Sequence, residues 1–107
     1  MQMQELIETA GKVSDLMKSL GNPKRLLILC QLAETERSVS ELARLTDMKE
    51  PAVSQQLALL RKDGIVSARR DGQSVLYALD RVDVRRLIEF LYATYCQPSC
   101  DEGGDRG

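Results

Sequence analysis

The sequence predicts a mainly α-helical domain with one β-hairpin, in the order α-α-α-α-β-β-α of a winged helix-turn-helix, working as a dimer. Three observations carry that prediction. Two short helix signals, Ser38 to Thr46 and Pro51 to Asp63, are separated by the polar break Asp47-Met48-Lys49-Glu50. Two runs of β-formers follow at once, Ile65 to Arg70 and Ser74 to Leu79, with Asp71-Gly72-Gln73 between them. Asp-Gly in such a position is a strong hairpin signal. One-sided apolar helices stand at both ends of the domain, where a second copy can reach them.

Each element has its own residues to justify it. In the first helix Met3, Leu6, Ala10, Val13, Met17 and Leu20 recur at intervals of 3, 4, 3, 4 and 3 residues. That draws a narrow apolar stripe, suited either to its own domain or to the same helix of a second copy. Gly21 stops this helix, and Asn22-Pro23 opens the next with a cap followed by proline at the first helical position. Leu26 to Leu32 is apolar almost all round, which predicts a helix surrounded by others and places Cys30 in a central, buried element. Ser38 and Glu41 form a capping box ahead of Val39, Leu42, Ala43 and Leu45. Val53, Leu57 and Leu60 share one face of the following helix, which Gly64 ends. The last helix is expected to start on Asp80 as cap, carry Val84, Leu87, Ile88, Leu91 and Tyr95 on one side, and stop at Pro98. Residues 1–98 thus form the domain, and the Gly-rich acidic stretch 99–107 is expected to be a disordered tail.

Composition removes other classes. No apolar run approaches the roughly 18 residues that cross a bilayer, so no membrane partner is expected. Met1-Gln-Met-Gln-Glu5 lacks the basic start and apolar stretch of a secretory signal, pointing to a cytoplasmic protein with reduced cysteines. The chain has three cysteines and no histidine, which excludes Ser-His-Asp and Cys-His catalysis and every imidazole zinc site. It also lacks a Cys-x-x-Cys pair and a Gly-rich phosphate loop, so neither an enzyme nor a resident cofactor is expected.

The helix from Pro51 to Asp63 has a polar outward face. With about 100° per residue, Val53, Leu57 and Leu60 turn inward while Ser54, Gln55, Ala58 and Lys62 turn out, with Arg61 near the edge. Glutamine pairs with the adenine edge in the major groove and serine accepts or donates there, so Ser54, Gln55 and Gln56 are candidate base contacts. Lys49, Arg61, Lys62, Arg69 and Arg70 are candidate phosphate contacts. From Arg37 to Gln73 seven Lys and Arg face five Asp and Glu, a charge of +2, whereas the chain as a whole carries −1. The proposed DNA face is therefore weakly basic within a near-neutral protein.

These residues resemble the ArsR/SmtB family of small winged-helix repressors over about Leu16 to Cys96. The likeness lies in Leu20-Gly-Asn-Pro-Lys-Arg-Leu26, Ser38-Val-Ser-Glu-Leu-Ala43, Pro51-Ala-Val-Ser-Gln-Gln-Leu-Ala-Leu-Leu-Arg61 with Lys62-Asp-Gly-Ile-Val66, and the wing Arg69-Arg-Asp-Gly-Gln-Ser-Val-Leu-Tyr77. The resemblance implies a homodimer through the first and last helices, binding double-stranded operator DNA with an imperfect palindrome and releasing it on sensing an inducer. The family's metal sites do not carry over. Where its third-helix site has Cys-x-Cys, this chain has Glu41-Leu42-Ala43-Arg44-Leu45, and its last-helix site needs histidines.

Cys30 and Cys96 remain. On composition Cys30 is a small hydrophobe in a buried helix, and Cys96 is partly exposed with no evident activating cation. The strings Leu27-Ile-Leu-Cys30 and Leu91-Tyr-Ala-Thr-Tyr-Cys96 resemble the BigR/SqrR/YgaV/HlyU branch of the family. That resemblance implies a dithiol switch between Cys30 and Cys96, answering persulfides or oxidants by a disulfide or polysulfide bridge that changes operator affinity. Cys100 is a bystander, a resolving thiol or a third ligand. In the last case Cys30, Cys96 and Cys100 would make a thiolate site for As(III) or Cd(II).

Overall fold

The computed structural model describes residues 1–96. The expected stop at Pro98, the tail 99–107 and Cys100 lie outside them. Five helices and one hairpin follow in order: α1 (Met3–Leu20), α2 (Pro23–Glu34), α3 (Val39–Thr46), α4 (Glu50–Lys62), β1 (Val66–Asp71), β2 (Ser74–Leu79) and α5 (Val82–Tyr95). This is the winged helix-turn-helix order.

Local chemistry sets the element ends. Asn22 Oδ1 accepts from the backbone N–H of Lys24 at 2.9 Å and Arg25 at 3.3 Å, opening α2. At α3 the capping box is complete, with Glu41 N donating to Ser38 Oγ and Ser38 N donating to Glu41 Oε1. The turn between α3 and α4 passes through Asp47 at φ 56°, a left-handed conformation that Asp tolerates better than most residues. α4 starts at Glu50, with Lys49 as cap and Pro51 at the second helical position, one residue earlier than the proline alone suggests. A proline is tolerated there because the first helical N–H groups have no intrahelical acceptor.

Two boundaries differ from the sequence reading. Asp71 pairs with Ser74 and belongs to the ladder, so the hairpin loop is the two residues Gly72-Gln73. Gly72 takes φ 66° at the first loop position, as a type II′ turn requires, and so supplies the turn chemistry one residue later than Asp-Gly implies. At α5 the cap is Arg81 rather than Asp80: Arg85 N donates to the Arg81 carbonyl at 3.0 Å, and a 2.6 Å ion pair joins Arg81 to Asp83 in the first turn. Asp83 brings its negative charge to the helix N-terminus from inside the helix.

The core is built from α2 (Ile28, Leu29, Leu32), α3 (Leu42, Ala43), α4 (Val53, Leu57, Leu60), the hairpin base (Ile65, Val66, Leu79) and α5 (Val84, Ile88). From α1 only Leu20 is buried. The stripe Met3, Leu6, Val13 and Met17 lies exposed, as do Phe90, Tyr92 and Tyr95 of α5. The Cα radius of gyration is 15.8 Å, against about 13 Å for a compact chain of this length. α1 thus stands off the domain and carries an uncovered apolar face.

A long-range pairing joins the loop between α2 and α3 to the wing, with no counterpart in the sequence reading. Arg37 N donates to the Tyr77 carbonyl at 3.1 Å, and Tyr77 N donates to the Arg37 carbonyl at 2.8 Å. This bridge ties β2 to the end of α2.

Candidate nucleic-acid interface and thiol pair

α3 and α4 pack as a helix pair, with Val53, Leu57 and Leu60 fully buried beneath α4. Ser54, Gln55, Ala58, Arg61 and Lys62 are exposed on the other side, and Lys49 is exposed at its cap. Gln56 is turned differently from its neighbours. It is half-buried, and its Oε1 accepts from Arg25 Nε at 2.7 Å. The bond to α2 engages the side chain that the sequence offered as a candidate base contact beside Ser54 and Gln55.

The wing arginines also separate. Arg69 donates to Glu36 with two nitrogens, Nη2 to Oε1 at 2.7 Å and Nε to Oε2 at 2.9 Å. That hydrogen bonding holds the Glu36 carboxyl below its usual range. Arg70 is exposed and, one residue on along a strand, projects from the opposite face of the hairpin. The surface assembled by α4 and the wing is one helix with a polar face, basic groups at both ends of it, and an exposed β-ribbon beside it.

The thiols lie on the far side of α2. Cys30 is half-buried rather than fully enclosed, and Leu27, one turn earlier on that face, is 50% exposed. α2 is therefore open on one side. α2 and α5 pack against each other, and on this side a cavity of about 360 Å³ lies between them, lined by Cys30, Gln31, Ala33, Glu34, Ile88, Glu89, Tyr92 and Ala93. Small Ala33 and Ala93 leave this space where larger side chains would have closed it. Glu89, Tyr92, Ala93 and Cys96 follow at helical spacings of 3, 4 and 7 residues, so exposed Cys96 continues the face of α5 that lines the cavity. Burial pushes the Cys30 thiol up from its ordinary pKa, helped by the nearby Cys96 and Glu34 charges. The Cys96 charge thus reaches Cys30, and neither thiol is disulfide-bonded.

Arg37 spans from the cavity to the wing. Its Nε donates to the Gln31 carbonyl at 3.1 Å and its Nη2 pairs with Glu34 at 2.9 Å, both on the cavity lining, while its backbone pairs with Tyr77. No local sequence signal marks the link to the wing, because Arg37 and Tyr77 lie 40 positions apart. Among the described residues no three Cys, Asp or Glu side chains cluster as a metal site, and Cys100 lies outside them. No helix of the described residues is long and apolar enough to cross a membrane.

A helix-turn-helix with an outward polar helix and a flanking β-wing is the architecture of DNA-binding transcriptional regulators. Comparison with known proteins places this chain more closely. The model of the bacterial regulatory protein arsR family matches residues 22–68. The transcriptional activator HlyU of Vibrio cholerae is 41% identical over 97 residues, 91% of this chain and 90% of that protein. Its reduced structure superposes with a TM-score of 0.84, covering 89% of this chain and all of that one. A biofilm growth-associated repressor of Agrobacterium fabrum is 45% identical over 89 residues, 83% of this chain and 76% of that protein. A homodimeric winged helix-turn-helix DNA-binding domain from Mycobacterium bovis has 33% identity and a TM-score of 0.72, covering 87% and 86% of the two chains. The chain belongs to the ArsR family.

Proposed function

We propose that this regulator is a cytoplasmic homodimeric repressor whose grip on a palindromic operator is set by the state of Cys30 and Cys96. The observation that carries the reading is the cavity between α2 and α5, with Cys30 in its wall and Cys96 one helical turn beyond Tyr92 and Ala93. Cys30 lines it from α2, Cys96 follows on the face of α5 that forms its other wall, and the Cys96 charge reaches Cys30.

Exposed Cys96 meets the reactive species first and Cys30 resolves it. With a persulfide RSSH, the Cys96 thiolate takes the outer sulfur and releases RSH. Cys30 then attacks the resulting Cys96 persulfide, forming the Cys30–Cys96 disulfide and releasing hydrogen sulfide. If a second RSSH first converts Cys30 to its persulfide as well, with loss of a second RSH, the two persulfides condense. One extra sulfur then stays in the bridge and hydrogen sulfide again leaves. With hydrogen peroxide the same two thiols give the disulfide and two waters.

A bridge restrains α5 against α2. Two paths lead from there to DNA. α5 carries exposed Phe90, Tyr92 and Tyr95, which with the α1 stripe form the dimer surface and so set the separation of the two recognition helices. That separation must match half-sites about 34 Å apart. The second path runs over Arg37 from Gln31 and Glu34 to β2 of the wing. In the operator complex Ser54 and Gln55 reach base edges, and Lys49, Arg61, Lys62 and Arg70 hold phosphates. Arg69 joins them on release from Glu36, and Gln56 braces α4 from behind.

Mass spectrometry tests the chemistry. Reduced protein treated separately with glutathione persulfide, hydrogen peroxide and arsenite is digested and mapped. A Cys30–Cys96 bridge, with added sulfur after persulfide, is expected. Arsenite bound only when Cys100 is present would replace this reading with a three-thiolate metalloregulator. Modification of either cysteine alone, with no bridge from any reagent, would contradict it.

A further inference from the structure

We propose that Arg25 is the positioning residue that sets the angle of the recognition helix α4 against α1, the helix on which the dimer is built. The inference rests on the operator-binding dimer proposed above, but not on its thiols.

One guanidinium reaches two elements. Arg25 Nε donates to Gln56 Oε1 on α4 at 2.7 Å, and Nη1 donates to the Ser19 carbonyl in the last turn of α1 at 3.1 Å. The Ser19 hydroxyl in turn donates to Asp63 Oδ2, the C-cap of α4, at 3.0 Å. The end of α1 is therefore tied to α4 at two points, Gln56 and Asp63. Seven residues of helix separate them, about 10 Å along the axis. One tie would leave a pivot, whereas two fix a direction.

Packing does not fix that direction by itself. Val53, Leu57 and Leu60 hold α4 down, but apolar attraction is non-directional and tolerates a few degrees of roll. A guanidinium presents its N–H groups in a rigid plane and resists such roll. Its own base is also fixed, since Arg25 N donates to the Asn22 cap at 3.3 Å. Gln56 follows directly on Ser54 and Gln55, so the tie lies behind the turn that presents the base-contacting side chains.

The test uses full-length dimer and duplexes selected by the wild-type protein from a library of two inverted, randomised half-sites. The best duplex is then remade with its spacer lengthened or shortened by one and two base pairs. Arg25→Met is expected to remain a folded dimer by thermal unfolding and sedimentation. It should lose about tenfold on the best spacing, the scale of one charge-assisted hydrogen bond, with little change on the altered ones. The spacing preference is thereby flattened. Arg25→Lys, which keeps the charge and tests folding conservatively, should flatten it as well, because an ammonium cannot make the two directed contacts. Gln56→Met should flatten it too, and the two losses should not add in the double variant. An equal loss at every spacing, full additivity, or complete rescue by lysine would each overturn the proposal. If the wild-type dimer selects no duplex, the operator reading and this inference fail together. If it selects one and the variants keep its spacing preference, only this inference fails.

Discussion

Glu36 holds Arg69 with both carboxylate oxygens, at 2.7 and 2.9 Å, at the junction between the α2–α3 loop and the wing. A wing arginine among the proposed phosphate contacts is thus already paired with a carboxylate. Glu36→Gln removes the competing charge while keeping a hydrogen-bonding side chain of the same size. It is expected to tighten duplex binding by about threefold at 0.1 M salt and to steepen the salt dependence by roughly one phosphate contact. Fluorescence anisotropy over a salt series reads both. Weaker binding would mean that the pair holds the wing in its working pose rather than restraining Arg69.

The chain leaves apolar faces of α1 and α5 uncovered. Ile7 and Phe90 are each 62% exposed, one on α1 and the other on α5. Changing either to Glu places an unpaired charge in the proposed interface, a cost of roughly 3 kcal/mol or about a hundredfold in the dimer dissociation constant. Sedimentation velocity should show monomer at micromolar concentration. An unchanged dimer in both variants would move the interface elsewhere.

Cys30 is held above the ordinary thiol pKa by burial first and by the Cys96 and Glu34 charges second. The fold therefore favours the neutral thiol. Its stabilising contribution is complete below the ordinary thiol pKa, roughly 8.5, and is lost as pH rises through the higher folded value. Alkylation of Cys30 by iodoacetamide, followed by peptide mass spectrometry, should rise with pH along a curve displaced to high pH. Cys96→Ser and Glu34→Gln should each move that curve down. A Cys30 midpoint at or below the ordinary value would contradict the burial of this thiol and the placement of these charges.

Arg37 is expected to carry the thiol state to the wing. Arg37→Gln keeps the backbone bridge to Tyr77 but removes the ion pair with Glu34. Bridging of the cysteines should proceed as in the wild type, while the difference in DNA affinity between reduced and bridged protein shrinks severalfold, the scale of a coupling of about 1 kcal/mol. Retention of the full difference would leave the dimer helices as the only path.

Most of the fold is legible locally because caps and periodicities are local. Asn22-Pro23, the Ser38/Glu41 box and Gly64 mark helix ends through chemistry within a few residues. The polar outward face of α4 follows from Val53, Leu57 and Leu60 alone. What the sequence does not display depends on distant partners. Gln56 looks like its neighbour Gln55 until Arg25, 31 residues earlier, is found bonded to it. The Arg37–Tyr77 bridge and the Glu36–Arg69 pair are of the same kind. Cys30 sits in an apolar string that suggests full burial, but small side chains on both walls, Ala33 and Ala93, leave a cavity beside it. The start of α5 moves from Asp80 to Arg81 because the ion pair with Asp83 acts from inside the helix.

A Cys30–Cys96 bridge is expected to change how the dimer holds DNA. The most direct test is a titration of the wild-type-selected palindromic duplex with reduced dimer and with dimer converted to the bridged form, verified by mass spectrometry. A Cys30→Ser/Cys96→Ser control is carried through the same treatment. The expected result is a loss of at least about tenfold in affinity on bridging, equivalent to about 1.4 kcal/mol, restored by reductant and absent in the control. Equal affinity of the reduced and bridged dimers would contradict the claim.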